Sequence, residues 1–333
     1  MPAQQLDVVA IGNAIVDVLS HADDAFVAKH GLAKGSMTLI DAAQADKLYA
    51  AMGPGKEVSG GSAANTIAGL ASLGAKCGFI GRVRNDQLGE VYQHDLRAGS
   101  VEFTTPMAKS GPGTGRCYIL VTPDAQRTMN TYLGASVELG PAEVDADLVG
   151  RARILYLEGY LWDRPGAKEA FRKASDIARA NGGKVAFSLS DSFCVNRWRD
   201  EFRELIETRV DILFANESEV TALYQVNTFE DAVPMVRAHT EVAALTRSEK
   251  GAVIVRGQEV ATVAAERNAK VVDTTGAGDL YAAGFLYGLI RGKDLGTAGR
   301  MGAIAAAEII SHFGARAEMP LQELMKKQLG AAV

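Results

Sequence analysis

One segment near the carboxyl end of the chain places acidic and hydroxyl side chains on either side of a glycine turn. Its residues are Asp273, Thr274, Thr275, Gly276, Ala277, Gly278 and Asp279. The apolar run that follows predicts a helix reaching Ile290. Glycines at a helix start leave backbone N–H groups open, and together with the helix dipole these groups bind an anion such as phosphate.

Asp279 is the unexpected residue of this turn, because its negative charge repels a bound anion. The carboxylate makes sense if it accepts a proton from a hydroxyl group that attacks a phosphoryl group held over the turn. An acid in the first helical turn can also serve only to complement the dipole, and from this segment alone both interpretations stand. A dinucleotide-binding turn is disfavoured because Tyr281 stands where its third glycine belongs, and Gly55–Lys56 lacks the upstream glycine of a P-loop.

A second glycine turn also leads into a predicted helix, and it carries small polar residues. These residues are Gly60, Gly61, Ser62 and Asn65. Paired glycines beside an amide suit a ligand rich in hydroxyl groups, which needs donors and acceptors at close range. Near the first apolar run, Asn13 and Asp17 could hold two neighbouring hydroxyls, although residues at strand ends also cap turns.

Asn216 and Glu219 follow a third apolar run. Asn216 is a good helix N-cap, and Glu219 three residues later would complete a capping box. That structural interpretation is sufficient by itself. In an α/β fold, however, the carboxyl end of a core strand is where ligands bind, and an acid there could order the water shell of Mg²⁺.

Short, continuously apolar runs alternate with amphipathic stretches along most of the chain. Such runs are typical of strands buried on both faces, as in a parallel sheet, and the stretches between them predict crossover helices. The predicted strands are Val8–Ile11, Cys77–Ile80, Ile154–Leu157, Val185–Leu189, Val210–Phe214, Val242–Leu245 and Ala252–Val255. This order indicates an α/β fold with a doubly wound, mostly parallel sheet flanked by helices.

Two regions, 14–41 and 101–136, alternate between apolar and polar residues instead. They predict half-buried antiparallel strands, and Thr122–Gln126 predicts a hairpin turn within the second region. A small antiparallel β lid over a binding site is one interpretation, and an edge sheet without a gating role is the other. Because no linker interrupts the chain, residues 1–333 are expected to form a single domain that carries this lid as insertions.

The chain of 333 residues has 35 Lys and Arg against 40 Asp and Glu, for a net charge of -5. A mildly acidic protein without a basic block is not expected to bind nucleic acid. The sequence holds no apolar run long enough for a membrane helix, and Met1–Asp7 lacks a signal pattern. Three widely spaced cysteines fit neither a disulfide framework nor a zinc site, so a reducing cytoplasm is expected.

Taken together and in this order, the motifs resemble those of the ribokinase-like, or PfkB, carbohydrate and nucleoside kinases. The resemblance runs from Val8 to about Pro320, nearly the whole chain. Its most specific element is the segment from Asp273 to Asp279, which matches the carboxyl-terminal signature of the family in full. The turn at Gly60–Asn65 matches the amino-terminal signature, and Asn216 with Glu219 matches the motif that organises the metal.

The resemblance implies ATP as the phosphoryl donor, with Mg²⁺. Asp279 would be the base that deprotonates the acceptor hydroxyl, and Gly276, Ala277 and Gly278 would form the anion hole. Residues near the acceptor would be Asn13, Asp17, Gly60, Gly61, Ser62 and Asn65. Residues near the nucleotide would be Asn216, Thr246, Ser248, Gly251, Thr274, Gly276 and Gly278.

The resemblance has two further implications, both for ion binding, and the chain departs from the family pattern at one position. Glu219 would hold Mg²⁺ through water. Asp273 and Thr275, with carbonyl groups near Ser311–Gly314, resemble a loop that binds a monovalent cation such as K⁺ in many but not all members. Ser248 stands where the family usually has glycine, which puts close approach of the backbone to the nucleotide in doubt.

Within the family, the segments around Asn13 and Arg127 look more like the adenosine kinase branch than like ribokinase or fructokinase. That likeness implies that Arg127 reaches from the lid towards the phosphates, although a solvated hairpin arginine is the alternative. An apolar bed for a purine ring is expected from Met37, Leu39, Met129 and Leu161. A nucleoside kinase that converts adenosine to AMP is therefore the leading hypothesis, ahead of a sugar kinase or a non-catalytic nucleotide-binding protein, as a monomer or a homodimer.

Overall fold

The structure is a computed structural model that describes residues 5–124, 126–266 and 271–330. Within these ranges, nine strands form a large sheet and five strands form a separate small sheet. None of the helices in the described ranges is both long and apolar enough to span a membrane. Ala125, in the middle of the predicted hairpin turn, lies outside the described residues.

The strands are distributed over the whole chain. They are β1 (Leu6–Ile11), β2 (Ile15–His21), β3 (Met37–Leu39), β4 (Lys56–Gly60), β5 (Cys77–Ile80), β6 (Val101–Glu102), β7 (Gly115–Val121), β8 (Arg127–Tyr132), β9 (Ala152–Glu158), β10 (Lys184–Ser188), β11 (Ile212–Asn216), β12 (Val242–Thr246), β13 (Ala252–Arg256) and β14 (Glu259–Val263).

The helices alternate with the strands of the large sheet. They are α1 (Asp24–Lys29), α2 (Ala42–Ala51), α3 (Ser62–Ser72), α4 (Gln87–Ala98), α5 (Ala146–Gly150), α6 (Pro165–Ala180), α7 (Ser192–Arg209), α8 (Glu217–Tyr224), α9 (Phe229–His239), α10 (Ala277–Ile290), α11 (Leu295–Ile309) and α12 (Leu321–Leu329).

The large sheet has the order β14-β13-β12-β11-β10-β9-β1-β5-β6. All neighbouring pairs from β12 to β6 are parallel. The expectation that Ala252–Val255 belongs to the parallel set is wrong, because β13 runs antiparallel to both β12 and β14. A tight connection between β12 and β13 leaves no room for a crossover helix, and only antiparallel neighbours can be joined in that way.

Two apolar cores lie on opposite faces of this sheet. One contains side chains of α3, α10, α11 and α12, and the other contains side chains of α5 to α9. In β1, for example, Val8 faces the first core and Val9 the second, and both are fully buried. Burial on both faces is the physical reason for the continuous apolar runs, and the predicted doubly wound α/β fold is confirmed.

The small sheet has the order β3-β8-β7-β2-β4. Its predicted antiparallel character is only partly correct, because β7–β8 and β2–β4 are antiparallel but β2–β7 and β3–β8 are parallel. It is therefore a mixed sheet. It also includes β4, which lies outside the segments 14–41 and 101–136 predicted for the lid, because the polar sequence of this edge strand gives no apolar signal.

The carboxyl ends of the parallel strands place the residues of greatest interest along one edge of the large sheet. Glu158 ends β9, Asn216 ends β11 and Thr246 ends β12. The small sheet stands beside this edge, since β2 follows β1 after only three residues. Both sheets therefore contribute to one cleft, as open α/β folds commonly arrange their ligand sites.

Candidate active site

The cleft has a volume of about 510 Å³ and extends from the carboxyl edge of the large sheet to the inner surface of the small sheet. It brings together side chains from distant parts of the sequence. Predicted residues that line it are Asn13, Asp17, Met37, Leu39, Gly61, Ser62, Asn65, Met129, Asn216, Glu219, Thr246, Thr274, Thr275, Gly276, Ala277, Gly278 and Asp279.

The amino terminus of α10 opens directly onto the cleft. Gly276 is its N-cap and has no side chain to accept from the helix. The N–H of Ala277 donates to the carbonyl oxygen of Thr274 at 3.3 Å, and the N–H groups of Gly278 and Asp279 remain available to an anion. A Cβ atom added at Gly278 would meet nothing within 4 Å, which shows that this turn faces open space. The structure confirms that the glycines begin a helix and that the turn faces the cleft, and phosphate binding there stays a prediction.

Asp279 lies in the first turn of α10 and is held by the second glycine motif. Ser62 Oγ donates to its Oδ1 at 2.6 Å, and Asn65 Nδ2 donates to its Oδ2 at 3.0 Å. Burial raises the pKa of the Asp279 carboxyl, whereas these two hydrogen bonds and the charge of Arg316 lower it. The side chain is therefore fixed in direction, and its basicity is higher than that of an exposed aspartate.

The second glycine turn requires glycine at two positions. Gly61 has φ +96°, and a Cβ atom there would lie 2.1 Å from the carbonyl oxygen of Asn13. Gly60 does not line the cleft. It lies behind Asp17, and a Cβ atom at Gly60 would lie 2.4 Å from Asp17 Oδ2. The turn thus brings the start of α3 into close contact with Asn13 and Asp17.

Glu158 is a central residue of the site that the sequence analysis missed. Its Oε1 accepts from the backbone N–H of Asn13 at 2.6 Å and from Asn13 Nδ2 at 2.9 Å, and its Oε2 accepts from the N–H of Ala63 at 2.6 Å. Asn13 Oδ1 accepts in turn from Ser136 Oγ at 2.9 Å. Asn13 therefore lines the cleft as predicted, but most of its polar capacity is used within the protein.

The buried carboxylate of Glu158 predicts a specific dependence of stability on pH. Burial raises its pKa to about 7, against the lowering effect of its hydrogen bonds. A carboxyl whose pKa is raised in the folded state stabilises the fold at low pH and loses that contribution as pH rises through about 7. We expect Tm to fall from pH 5 towards pH 8, and to fall less in Glu158→Gln, as measured by differential scanning calorimetry. The same change at exposed Glu90 is the control, and equal slopes in both variants would contradict this prediction.

Asp17 and Arg316 form a second, partly exposed feature beside Asp279. Burial raises the pKa of Asp17 to about 7, with Arg316 and Arg127 acting in the opposite direction. Arg316 donates to the carbonyl oxygens of Ser59 at 2.9 Å and Ala64 at 2.6 Å, and to Ser59 Oγ at 3.0 Å. The sequence analysis did not predict Arg316, whose hydrogen bonds fix the backbone on both sides of the second glycine turn.

The small sheet contributes the apolar part of the cleft. Met37 and Leu39 are 45% and 48% exposed and, with Met129, lie along one wall. The expectation for Leu161 is wrong: it is 1% exposed and belongs to the core beneath α6 and α7. Its neighbour Tyr160 lines the cleft instead, because successive side chains of the 3₁₀ helix Gly159–Leu161 point about 120° apart.

Only some of the residues that the resemblance places near the nucleotide line the cleft. Asn216 and Glu219 make the expected capping box, with Asn216 Oδ1 accepting from the N–H of Glu219 at 2.9 Å and Glu219 Oε2 accepting from the N–H of Asn216 at 2.8 Å. Thr246 lines the cleft, but Ser248 and Gly251 do not. Ser248 has φ +51°, so a serine occupies here the left-handed conformation that favours glycine.

Asp273 and Arg127 form a buried ion pair between the two sheets. Neither residue lines the cleft, and their side chains are 3% and 8% exposed. The alternative of a solvated hairpin arginine is therefore wrong. In the parts of the chain that the structure describes, no cluster of three or more His, Cys, Asp or Glu side chains could hold a metal ion.

A glycine turn that begins a helix facing the cleft, with a fixed carboxylate in its first turn, is compatible with transfer of a phosphoryl group to a hydroxyl group. The sequence matches the pfkB family of carbohydrate kinases over residues 25–322. The chain belongs to this family, and it is an ATP-dependent nucleoside or sugar kinase.

Individual relatives include both kinds of kinase. The crystal structure of adenosine kinase from Sinorhizobium meliloti is 49% identical, with a TM-score of 0.90 over 97% of this chain and 99% of that chain. A probable sugar kinase from Rhizobium etli CFN 42 is 48% identical, with a TM-score of 0.91 over 97% and 98%. Adenosine kinase from Saccharomyces cerevisiae is 29% identical over 92% of this chain and 95% of its own length.

Proposed function

We propose that this enzyme phosphorylates the 5′-hydroxyl of adenosine with ATP, giving AMP and ADP, a purine salvage reaction. The observation that carries the proposal is one continuous cleft with Asp279 and the α10 amino terminus at one end and the exposed apolar side chains of the small sheet at the other. A purine offers a flat apolar face to such a wall, and a sugar does not. The Sinorhizobium adenosine kinase, at 49% identity, supports the same assignment.

Asp279 would act as the general base. Its carboxylate takes the proton of the acceptor hydroxyl, the oxygen forms a bond to the γ-phosphorus, and the bond to the leaving ADP oxygen breaks. The hydrogen bonds from Ser62 and Asn65 orient the carboxylate towards the acceptor. Asn65 Oδ1 is buried and has no partner among the described residues, so it is free to accept from a second acceptor hydroxyl.

The anion hole would consist of the backbone at Gly276, Ala277 and Gly278. These N–H groups lie at the positive end of α10 and can stabilise the negative charge of the transferring phosphoryl group. Arg127 would add positive charge from the small sheet. Because Arg127 pairs with Asp273 and does not line the cleft, its charge would act on the phosphates from behind the turn, without a direct hydrogen bond to them.

The nucleotide would bind along Asn216, Thr246 and Thr274, with Ser248 and Gly251 shaping the loop behind them. Glu219 fits the proposed role of holding Mg²⁺ through water. It is 5% exposed and lines the cleft, each oxygen accepts one hydrogen bond from Asn216, and a further lone pair remains on each. When bound, Mg²⁺ would neutralise charge on the ATP phosphates.

A sugar kinase of the same family is the second candidate, and the similarity to the Rhizobium etli protein favours it. ADP release measured with a panel of nucleosides and sugars decides between them. We expect adenosine to give the highest kcat/KM. Strong activity on a sugar such as fructose with none on adenosine would overturn the assignment.

The apolar wall predicts a matched test of adenine binding. Changing Leu39 to Gln should raise the KM for adenosine about tenfold, because a polar side chain no longer packs against the purine, and should leave the KM for ATP nearly unchanged. The change Val260→Gln, at an exposed residue of β14, serves as the control. Equal KM values for adenosine in both variants would remove Leu39 from the acceptor site.

A further inference from the structure

The carboxylate of Asp273 joins two loops beside the phosphate-binding turn. Its Oδ1 accepts from the N–H of Thr275 at 2.9 Å, and its Oδ2 accepts from the N–H of Gly314 at 3.0 Å. It therefore ties the start of the signature segment to the loop that follows α11. With only 3% of its side chain exposed, this carboxylate needs a compensating positive charge.

Arg127 supplies that charge from the other sheet. It is the first residue of β8, and its guanidinium contacts Asp273 Oδ1. Only 8% of the Arg127 side chain is exposed. The pair is protected from solvent on both sides, unlike most ion pairs of this protein, which involve an exposed partner. A buried pair of this kind is strongly disrupted when one partner is removed.

The same carboxylate is the residue at which the family resemblance suggests a monovalent cation. The residues present do not fit one. Oδ1 is already occupied by Thr275 N–H and Arg127, and the nearby carbonyl oxygen of Ile310 accepts from the N–H groups of Val272 at 2.7 Å and Asp273 at 3.2 Å. A cation at Asp273 would also lie against the guanidinium, and two like charges at about 4 Å in a buried site repel strongly.

We propose that Arg127 takes the place of a monovalent cation beside the anion hole, so that this kinase needs no K⁺ for activity. The proposal rests on the proposed phosphoryl-transfer site at α10. An arginine differs from a free ion in one respect: it is covalently part of the small sheet. The positive charge that supports the turn is therefore present only while the small sheet is packed against the core.

A potassium titration tests this proposal. ADP formation is measured with the best acceptor from the substrate panel, in K⁺- and Na⁺-free buffer with fixed Mg²⁺, with tetramethylammonium holding the ionic strength constant. Wild type should change less than about twofold between zero and saturating K⁺. Arg127→Met should lose at least about tenfold in kcat without K⁺ and regain part of it with K⁺. Its Tm should rise with K⁺, whereas that of wild type should not.

Two variants serve as controls. Arg127→Lys keeps the charge and should remain indifferent to K⁺. Arg116→Met removes a second arginine of the small sheet, which lies at the opposite end of the β7–β8 pair and contacts exposed Asp46. Activation of wild type by K⁺ of about fivefold or more overturns the proposal, as does an Arg127→Met enzyme that K⁺ changes in neither rate nor Tm. The wild-type titration decides alone if Arg127→Met does not fold. Because the Tm response needs no turnover, the outcome is separable from failure of the adenosine assignment.

Discussion

Changing Asp279 to Ala should lower kcat by more than about four powers of ten while the affinity for ATP stays nearly constant. A general base alone contributes about 10²–10⁴, and Asp279 is expected to contribute more because its carboxylate also orients the acceptor hydroxyl. In the proposed site, nucleotide binding depends on backbone N–H groups and on residues of the other loops, which this change leaves in place. ADP formation and calorimetric titration with ATP measure the two quantities separately.

The asparagine variant sharpens this test. Asp279→Asn keeps the size of the side chain and can still contact Ser62, but it cannot accept a proton at neutral pH. If kcat falls as far in Asp279→Asn as in Asp279→Ala, the effect is due to proton transfer. Near-wild-type turnover in either variant would exclude Asp279 as the base. The change Asp294→Asn, at the N-cap of α11 far from the cleft, controls for loss of a helix-terminus carboxylate.

Changing Arg316 to Met should both destabilise the protein and shift its pH–activity profile. The change removes three hydrogen bonds to Ser59 and Ala64, and we expect a loss of about 3 kcal/mol in the free energy of unfolding. Arg316 also lowers the pKa values of Asp17 and Asp279 against the larger effect of burial. Its removal should therefore raise both pKa values, and the acid limb of kcat/KM should move up by about one pH unit.

The direction of this shift follows from the role of Asp279. A base must be deprotonated, so activity falls as pH drops through its pKa, and a higher pKa moves that fall to higher pH. Arg316→Lys keeps the charge and should restore the profile even if stability stays reduced. The control is Arg300→Met, in the exposed part of α11. A normal pH profile in a folded Arg316→Met enzyme would show that Arg316 only packs the motif.

The sequence predicted the large sheet well because its strands are buried on both faces. The observed limits of β5 agree with those predicted, and β1, β9 and β12 extend the predicted runs by one to three residues. Strand β4 was missed because an exposed edge strand carries polar residues on both faces. The direction of β13 could not be predicted from its apolar run, since periodicity does not report orientation.

The site could be predicted most accurately where it depends on residues that are close together in the sequence. The capping box of Asn216 and Glu219 depends on residues three apart, and the structure confirms it. Glu158 had a usable signal, a lone acid at the carboxyl end of an apolar strand, that was not recognised. Arg316 had none, because its partners lie about 250 residues earlier in the chain and only the fold brings them together.

The position of Asn13 has a consequence for the engineering of this enzyme. In the described residues the chain passes between core and small sheet four times, near residues 13, 61, 115 and 134, and these passages meet around one asparagine. A Cβ atom at Gly61 would touch its carbonyl oxygen, and Ser136 donates to its Oδ1. The small sheet is thus a module with closely spaced junctions, and the small sheet of a relative with different acceptor preference could be introduced there by exchanging the two stretches of chain between these passages.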